Sequence, residues 1–388
     1  MKKQFAEYYE LPEGRIKEIW DNSLIVFDTN VLLNLYRYNE ESRNEFINVI
    51  KTYKERLWIP YQVGLEFHRR RETVIRKHIS TYKSLGEDVS KRLMDVVTAL
   101  RNNGDYTRHP YIKIADIESK LKRCAISIKK SLDEQESKHP DYLKVDSILS
   151  AITELFDGCV GNDYAVNELE ELYKEGEKRY ANQVPPGYCD EKNKKDKPKR
   201  HLYGDLIVWK QTITQSKEQK RDVIFITDDH KPDWWDKVDG KHSPRKELIR
   251  EFIDNTGQNV LIYDSGRFLE YAKRNKAKVS PKTIREVEKV KQEDIETTQR
   301  NRRAHYGNIF SGIDFDAINE FAKRLGQYST SIKRMQEQIS SSIAIPTINP
   351  ITLIEMPQKD EVIEEFEQQR ERIAQIIEPR NNDIEGEK

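Results

Sequence analysis

The 388-residue chain sets 67 Lys and Arg against 67 Asp and Glu, a formal net charge of +0, so bulk charge does not mark it as a nucleic-acid-coating protein and any such contact must use a local basic patch. Hydrophobic residues make up 36% and charged residues 35%, which argues against a fully disordered chain and predicts a core of moderate size with long solvated helices, in two or three domains or in one domain with large insertions. Cys124, Cys159 and Cys189 form no C-x-x-C or Cys/His cluster, which supports neither a disulfide framework nor a zinc site, and they read as reduced, mostly buried thiols. No apolar run approaches a membrane span and the first residues carry no signal-peptide core, so a soluble cytoplasmic protein is expected.

In chain order, Trp20 is expected to pack beneath a first strand, Ser23-Leu-Ile-Val-Phe27, whose continuous apolar run reads as buried on both faces and which is followed at once by Asp28-Thr29-Asn30. Val31, Leu32, Leu35 and Tyr36 predict a short helix next, and Phe46, Val49, Ile50 and Tyr53 a second over 41–56. Leu57-Trp58-Ile59-Pro60 reads as a short strand. A helix then starts near Tyr61 with Val63, Phe67 and Val74 buried, and it carries Glu66 and His68-Arg69-Arg70-Arg71. Residues 79–156 read as a helical insertion. Leu85, Val89, Leu93, Val96 and Leu100 recur at steps of three and four, and so, after breakers at 102–105 and His109-Pro110, do Ile114, Ile117, Leu121, Cys124, Ile128 and Leu132. That pattern predicts an antiparallel helical hairpin, followed by a further helix over 142–156.

A loop over 183–200 ends in a stretch with six basic residues among its last ten, including Lys197, Lys199 and Arg200. Tyr203-Gly204-Asp205 leads into a helix with Leu206, Trp209 and Ile213. A strand over 222–227 runs into Asp228-Asp229, a helix over 244–254 follows, and Val260-Leu-Ile-Tyr263 is a last strand. The alternation predicts an α/β fold with a central, mainly parallel sheet in a domain over 1–275. Residues 276–388 read as a charged helical extension. Within it Ile318, Phe321, Leu325, Tyr328, Ile332, Met335 and Ile339 form a heptad seam, 360–377 an amphipathic helix, and the last ten residues a disordered end. Three heptads suit docking on the chain's own domain somewhat better than a dimer or a partner protein, which remain open.

The chemistry is carried by acids. Asp28 and Asp228 each follow a core strand, and parallel neighbours would bring both to the same sheet edge, where ligands of such folds sit. Glu66 lies early in a helix after another strand, and Asp205 opens the helix before the Asp228 strand. Carboxylates gathered without matching bases repel one another unless divalent cations lie among them, and Mg2+ suits a few carboxylates plus waters and phosphate oxygens. Each residue also has a plainer reading. Asp28 and Asp205 are at positions typical of helix N-caps, Glu66 alone is a surface glutamate, and the basic runs are solvated charge. Trp234-Trp235 read as core aromatics rather than a base-stacking platform.

Phe27-Asp-Thr-Asn30, the Glu66 helix, Tyr203-Gly-Asp-Leu206 and Phe225-Ile-Thr-Asp-Asp229 together resemble the acidic motifs of PIN-domain nucleases, over roughly residues 20–275. The likeness is to large bacterial PIN-like proteins with FDTN, YGD and ITDD motifs. The resemblance implies a Rossmann-like PIN fold and hydrolysis of phosphodiester bonds with Mg2+ or Mn2+, as two ions roughly 3.5–4 Å apart. It implies Asp28, Glu66, Asp205 and Asp228 as catalytic, metal-binding acids, Asp229 as an auxiliary acid, and Thr29 and Asn30 as supports. Arg69, Arg70, Lys197, Lys199 and Arg200 are then candidates for the nucleic-acid backbone. Single-stranded RNA is the favoured substrate, with a structure-specific or single-strand DNA nuclease, or a catalytically silent module binding nucleic acid or protein, as alternatives. The 139 residues from Glu66 to Asp205 exceed what a compact PIN domain needs, because of the hairpin insertion.

Overall fold

In the computed structural model, which describes residues 1, 4–190, 197–238 and 241–310, the run Leu24–Phe27 forms strand β1 with all four side chains buried. It follows helix α1 (Glu13–Asn22), whose Trp20 is buried and stacks on Tyr271, Phe268 and Tyr263 with ring centroids 5.4, 5.8 and 6.0 Å apart. After β1 come α2 (Thr29–Asn34), α3 (Glu40–Lys51) and the two-residue strand β2 (Leu57–Trp58), which pairs parallel with β1 in the register Ile25 to Leu57.

Pro60 then starts α4 (Tyr61–Asn102), a single helix of 42 residues. It ends at Asn103, whose extended backbone leaves the helix and whose side chain accepts from the Asp105 and Tyr106 amides, capping the short α5 (Gly104–Thr107). The chain returns along α4 as α6 (Ile114–Lys138), forming the predicted hairpin. The seam differs by a residue from the expected one. Gly86 and Val97 are buried in it, whereas Leu85, Val96, Ile117 and Cys124 face outward. A Cβ on Gly86 would lie 3.5 Å from Leu132, an ordinary van der Waals contact, which puts this position of α4 against α6. Near the tip Arg101 clasps Glu118 with two hydrogen bonds of 2.6 Å. The cysteines are free thiols, but Cys124 is exposed and Cys159 and Cys189 are half-buried, which corrects the expectation of burial.

Helix α7 (Ser147–Phe156) starts later than the predicted 142 because Asp146 accepts from the Leu149 amide and fixes the N-terminus there. Helix α8 (Val166–Ala181), not foreseen in the sequence, precedes α9 (Lys199–Leu202) and α10 (Gly204–Gln219). Strand β3 (Val223–Ile226) pairs parallel with β1, Leu24 to Val223 and Phe27 to Ile226. A hairpin of β4 (Trp235–Val238) and β5 (Lys241–Pro244), also unforeseen, is followed by α11 (Lys246–Thr256). Strand β6 (Val260–Tyr263) pairs parallel with β3, and α12 (Ser265–Arg274) and α13 (Pro281–Phe310) follow.

The sheet order is β2-β1-β3-β6, all parallel. The chain leaves β1 toward one edge and returns on its other side with β3, so the strand order reverses between β1 and β3. A crevice opens at such a switch point, outside the carboxyl ends of the strands. Behind it Phe225 is stacked by Trp234 at 5.3 Å and met edge-on by Trp209, so the two adjacent tryptophans are core, as expected. Each such fully buried large apolar side chain contributes about 1.5–3 kcal/mol of transfer free energy. One compact unit spans Met1–His305, past residue 275. In it, Val287 and Val290 of α13 are buried and Glu45 accepts from Ser280 and Thr283. The heptad seam, the 360–377 helix, the terminal segment and residues 191–196 lie outside the described residues. Among the described residues no helix is long and apolar enough to cross a membrane.

Candidate active site

Parallel pairing sets Asp28 beside Thr227, because the Asp28 amide donates to the Ile226 carbonyl at 2.9 Å while the Thr227 amide donates to Tyr263 at 2.9 Å. Asp28 does cap α2, accepting from the Thr29 amide at Oδ1 (2.6 Å). It also does more. Its Oδ2 accepts from Asn30 Nδ2 and from the Thr227 hydroxyl, both at 2.7 Å. Asn30 spans the switch point: its amide nitrogen also reaches Thr227 Oγ1 (3.1 Å), and its Oδ1 accepts from the Asp228 amide (3.0 Å). The cap uses one oxygen of Asp28, and Asn30 and Thr227 take the other.

Glu66 comes to the same place from the second turn of α4. Gln62, one turn earlier, donates to its Oε1 at 2.7 Å, and Gly204 lies against it. A Cβ at Gly204 would stand 2.5 Å from Glu66 Oε1, so the glycine before Asp205 leaves room for the Glu66 carboxylate where it lies. Arg70 pairs with Glu66 only loosely, at 3.9 Å, from an exposed position.

Asp28, Glu66, Asp205, Asp228 and Asp229 line one cleft of about 750 Å3, with Thr29 and Asn30 at its floor. Among the basic candidates, Arg69, Arg70 and Lys197 line it too. Lys199 and Arg200 are not among its walls. Arg200 turns to Asp163 (2.6 and 3.0 Å) and to Gln62 (2.8 Å), and lies over the Tyr61 ring, a packing role that its position in a basic run does not reveal.

The acids differ in their surroundings. Burial pushes the Asp28 carboxyl up to about 6; the Thr227 hydrogen bond opposes this, while the charges of Glu66 and Asp229 add to it. Asp228 is buried and, like Asp28, accepts three hydrogen bonds: at Oδ1 from the Ser265 amide (2.9 Å), and at Oδ2 from the Ser265 hydroxyl (2.7 Å) and Asn34 (3.0 Å). It ties β3 to the start of α12. Asp229 accepts from both the amide and the ammonium of Lys231, at 2.9 and 2.8 Å. Lys231, Asp190, His230 and the α13 residues Asp294, Ile295 and Thr298 are cleft residues that the sequence reading missed. Lys231 stands two residues past Asp229, a local signal within reach of that reading. Asp190 and Asp294 carried none.

The donors fit a hard divalent cation, since they are carboxylate oxygens gathered around a carboxyl whose ionisation the surroundings oppose. Among the described residues no three His, Cys, Asp or Glu side chains form a ready-made ligand set.

Residues 24–248 match the family described as PIN like domain. No curated protein and no solved structure matches the chain.

Proposed function

Since this chain belongs to the PIN-like domain family, a family of nucleases, we propose that it is a divalent-metal-dependent nuclease hydrolysing phosphodiester bonds, with single-stranded RNA as its substrate. The observation that carries the reading is the meeting of Asp28, Glu66 and Asp205, from three separate elements, in one cleft edged by Arg69, Arg70 and Lys197.

Asp28, Glu66 and Asp205 would hold Mg2+ or Mn2+. When bound, the ion supplies activation of a water and neutralisation of charge on the phosphate. The chain's own part is positioning. Thr29, Asn30 and Thr227 fix the Asp28 carboxylate, and Gln62 and the bare face of Gly204 fix Glu66. Asp228 supports from behind by holding the β3 end to Ser265. Arg69, Arg70 and Lys197 bind the phosphodiester backbone, which makes affinity depend on salt rather than on base identity. No side-chain nucleophile is required.

Labelled single-stranded RNA, single-stranded DNA and a flapped duplex, each incubated with wild type or Asp28→Asn in Mg2+, Mn2+ or EDTA, test the proposal. Cleavage of the RNA by wild type alone, abolished by EDTA, is the expected result. Preference for either DNA substrate would reassign the substrate class. Binding without cleavage under every metal would make the domain a silent nucleic-acid module.

A further inference from the structure

Lys231 places its ammonium inside the acidic cluster. Nζ donates to Asp190 Oδ1 at 2.7 Å and to Asp229 Oδ2 at 2.8 Å, while the backbone amide of the same residue donates to Asp229 Oδ1 at 2.9 Å. Both oxygens of Asp229 are thus engaged by one residue.

The surrounding turn is built to keep it there. Trp235 Nε1 donates to the Asp229 carbonyl at 2.5 Å, and the Asp229 amide donates to Thr227 Oγ1 at 3.1 Å. Asp233, two residues past Lys231 and fully buried, accepts from the Gly187 and Cys189 amides at 3.0 and 3.1 Å. That fastens the loop bearing Asp190 to the turn bearing Lys231. Gly187 serves the same contact: its φ of +95° is in the left-handed region, and a Cβ there would meet the Tyr180 hydroxyl at 2.2 Å.

We propose that Lys231 takes the place of a second metal ion, so that the centre binds one divalent cation on Asp28, Glu66 and Asp205 and carries its other positive charge on the chain. This rests on the metal-nuclease reading and revises the sequence expectation of two ions. Two-ion centres use the second cation to stabilise the leaving oxygen of the displaced phosphate. Here a fixed ammonium facing the same cleft supplies that charge, by electrostatics and without a proton transfer.

Two observations favour the arrangement. Asp229, the second acid past β3, has both oxygens engaged by Lys231. The Nζ distances of 2.7 and 2.8 Å are those of charge-assisted hydrogen bonds, so a second ion would have to displace a pair already made.

The test counts ions in the full-length protein by electron paramagnetic resonance, titrating Mn2+ and reading the free-ion signal. Wild type is expected to bind one ion. Lys231→Met, which removes the ammonium, is expected to bind a second, weaker ion. Lys231→Arg is expected to bind one, and Asp190→Asn added to Lys231→Met should return the count to one. Two ions in wild type, or one ion in both wild type and Lys231→Met, would overturn the inference while leaving the nuclease reading intact. No ion in any variant would overturn the nuclease reading itself, and the inference with it. Far-UV circular dichroism checks each fold, and should Lys231→Met fail to fold, Lys231→Gln and the wild-type count decide.

Discussion

The Thr227 hydroxyl donates to Asp28 Oδ2 at 2.7 Å, joining two residues 199 positions apart at the ends of neighbouring strands. Thr227 Oγ1 in turn accepts from Asn30 and from the Asp229 amide, so its one donor and two acceptor sites are all in use. Thr227→Val keeps the shape and removes all three bonds. The buried acid then loses a partner, and we expect a loss of about 1–3 kcal/mol in stability by denaturant titration. Because Thr227 orients a metal-holding acid, Mn2+ affinity should fall about 10- to 100-fold as well. Loss of stability with unchanged metal affinity would show that the hydroxyl is purely structural.

Gly204→Ala probes the contact between the two acid-bearing helices. The added Cβ would lie 2.5 Å from Glu66 Oε1, the far end of a flexible side chain, so the carboxylate swings away and the backbone stays. Stability should change by less than about 1 kcal/mol, since Ala is also the better helix former. Cleavage should nevertheless drop at least about 10-fold, and full activity in the variant would remove Glu66 from the catalytic set.

The basic rim is tested by salt. Arg69→Ala and Lys197→Ala should each weaken RNA binding about equally across sequences and each reduce the slope of log K against log salt by about 1. Arg200→Ala should leave the slope unchanged and instead lower the melting temperature, because its guanidinium is spent on Asp163 and Gln62. A changed slope for Arg200→Ala would return that residue to the nucleic-acid surface.

Away from the cleft, Glu251 holds α8 and α10 to α11. It accepts from both Arg179 nitrogens (2.7 and 2.8 Å), from Lys210 (3.0 Å) and from Trp209 Nε1 (3.0 Å). Burial alone would raise its pKa, but the Arg179 hydrogen bonds and charge, and then Lys210, hold it at about 2 against an ordinary 4.5. A carboxyl depressed in the folded state contributes stability that is complete above its unfolded pKa and is lost as pH falls through the folded one. Wild type should exceed Glu251→Gln by on the order of 3 kcal/mol at pH 7, and the gap should close between about pH 4.5 and pH 2. A gap independent of pH would mean that Glu251 acts through packing rather than charge.

Runs such as Leu24–Phe27 and Val223–Ile226 were legible as central strands because a parallel sheet covered on both faces demands apolar residues at consecutive positions. An acid directly past each run was legible for the same reason, since strand ends in such a sheet share one edge. Periodicity located the hairpin helices, but it resolves a face only to within a residue. It placed Leu85 and Val96 in a seam whose buried residues are Gly86 and Val97, and a buried glycine leaves no trace in hydrophobicity.

Composition could not say how each charge is spent. Arg69 and Arg200 look alike in the sequence, yet one lines the cleft and the other is bound to Asp163. Asp28 and Asp228 look alike too, yet the first is held by Asn30 and Thr227 at the switch point and the second by Ser265 and Asn34. Lys231 meets Asp190 across 41 residues only because the Gly187–Asp190 loop is hung on buried Asp233. The order of apolar and polar residues along the chain determined the sheet, its helices and the edge where the acids gather. Only the tertiary structure decided which partners each of those acids takes, because hydrogen-bond partners are set by distances in space that the order of residues does not encode.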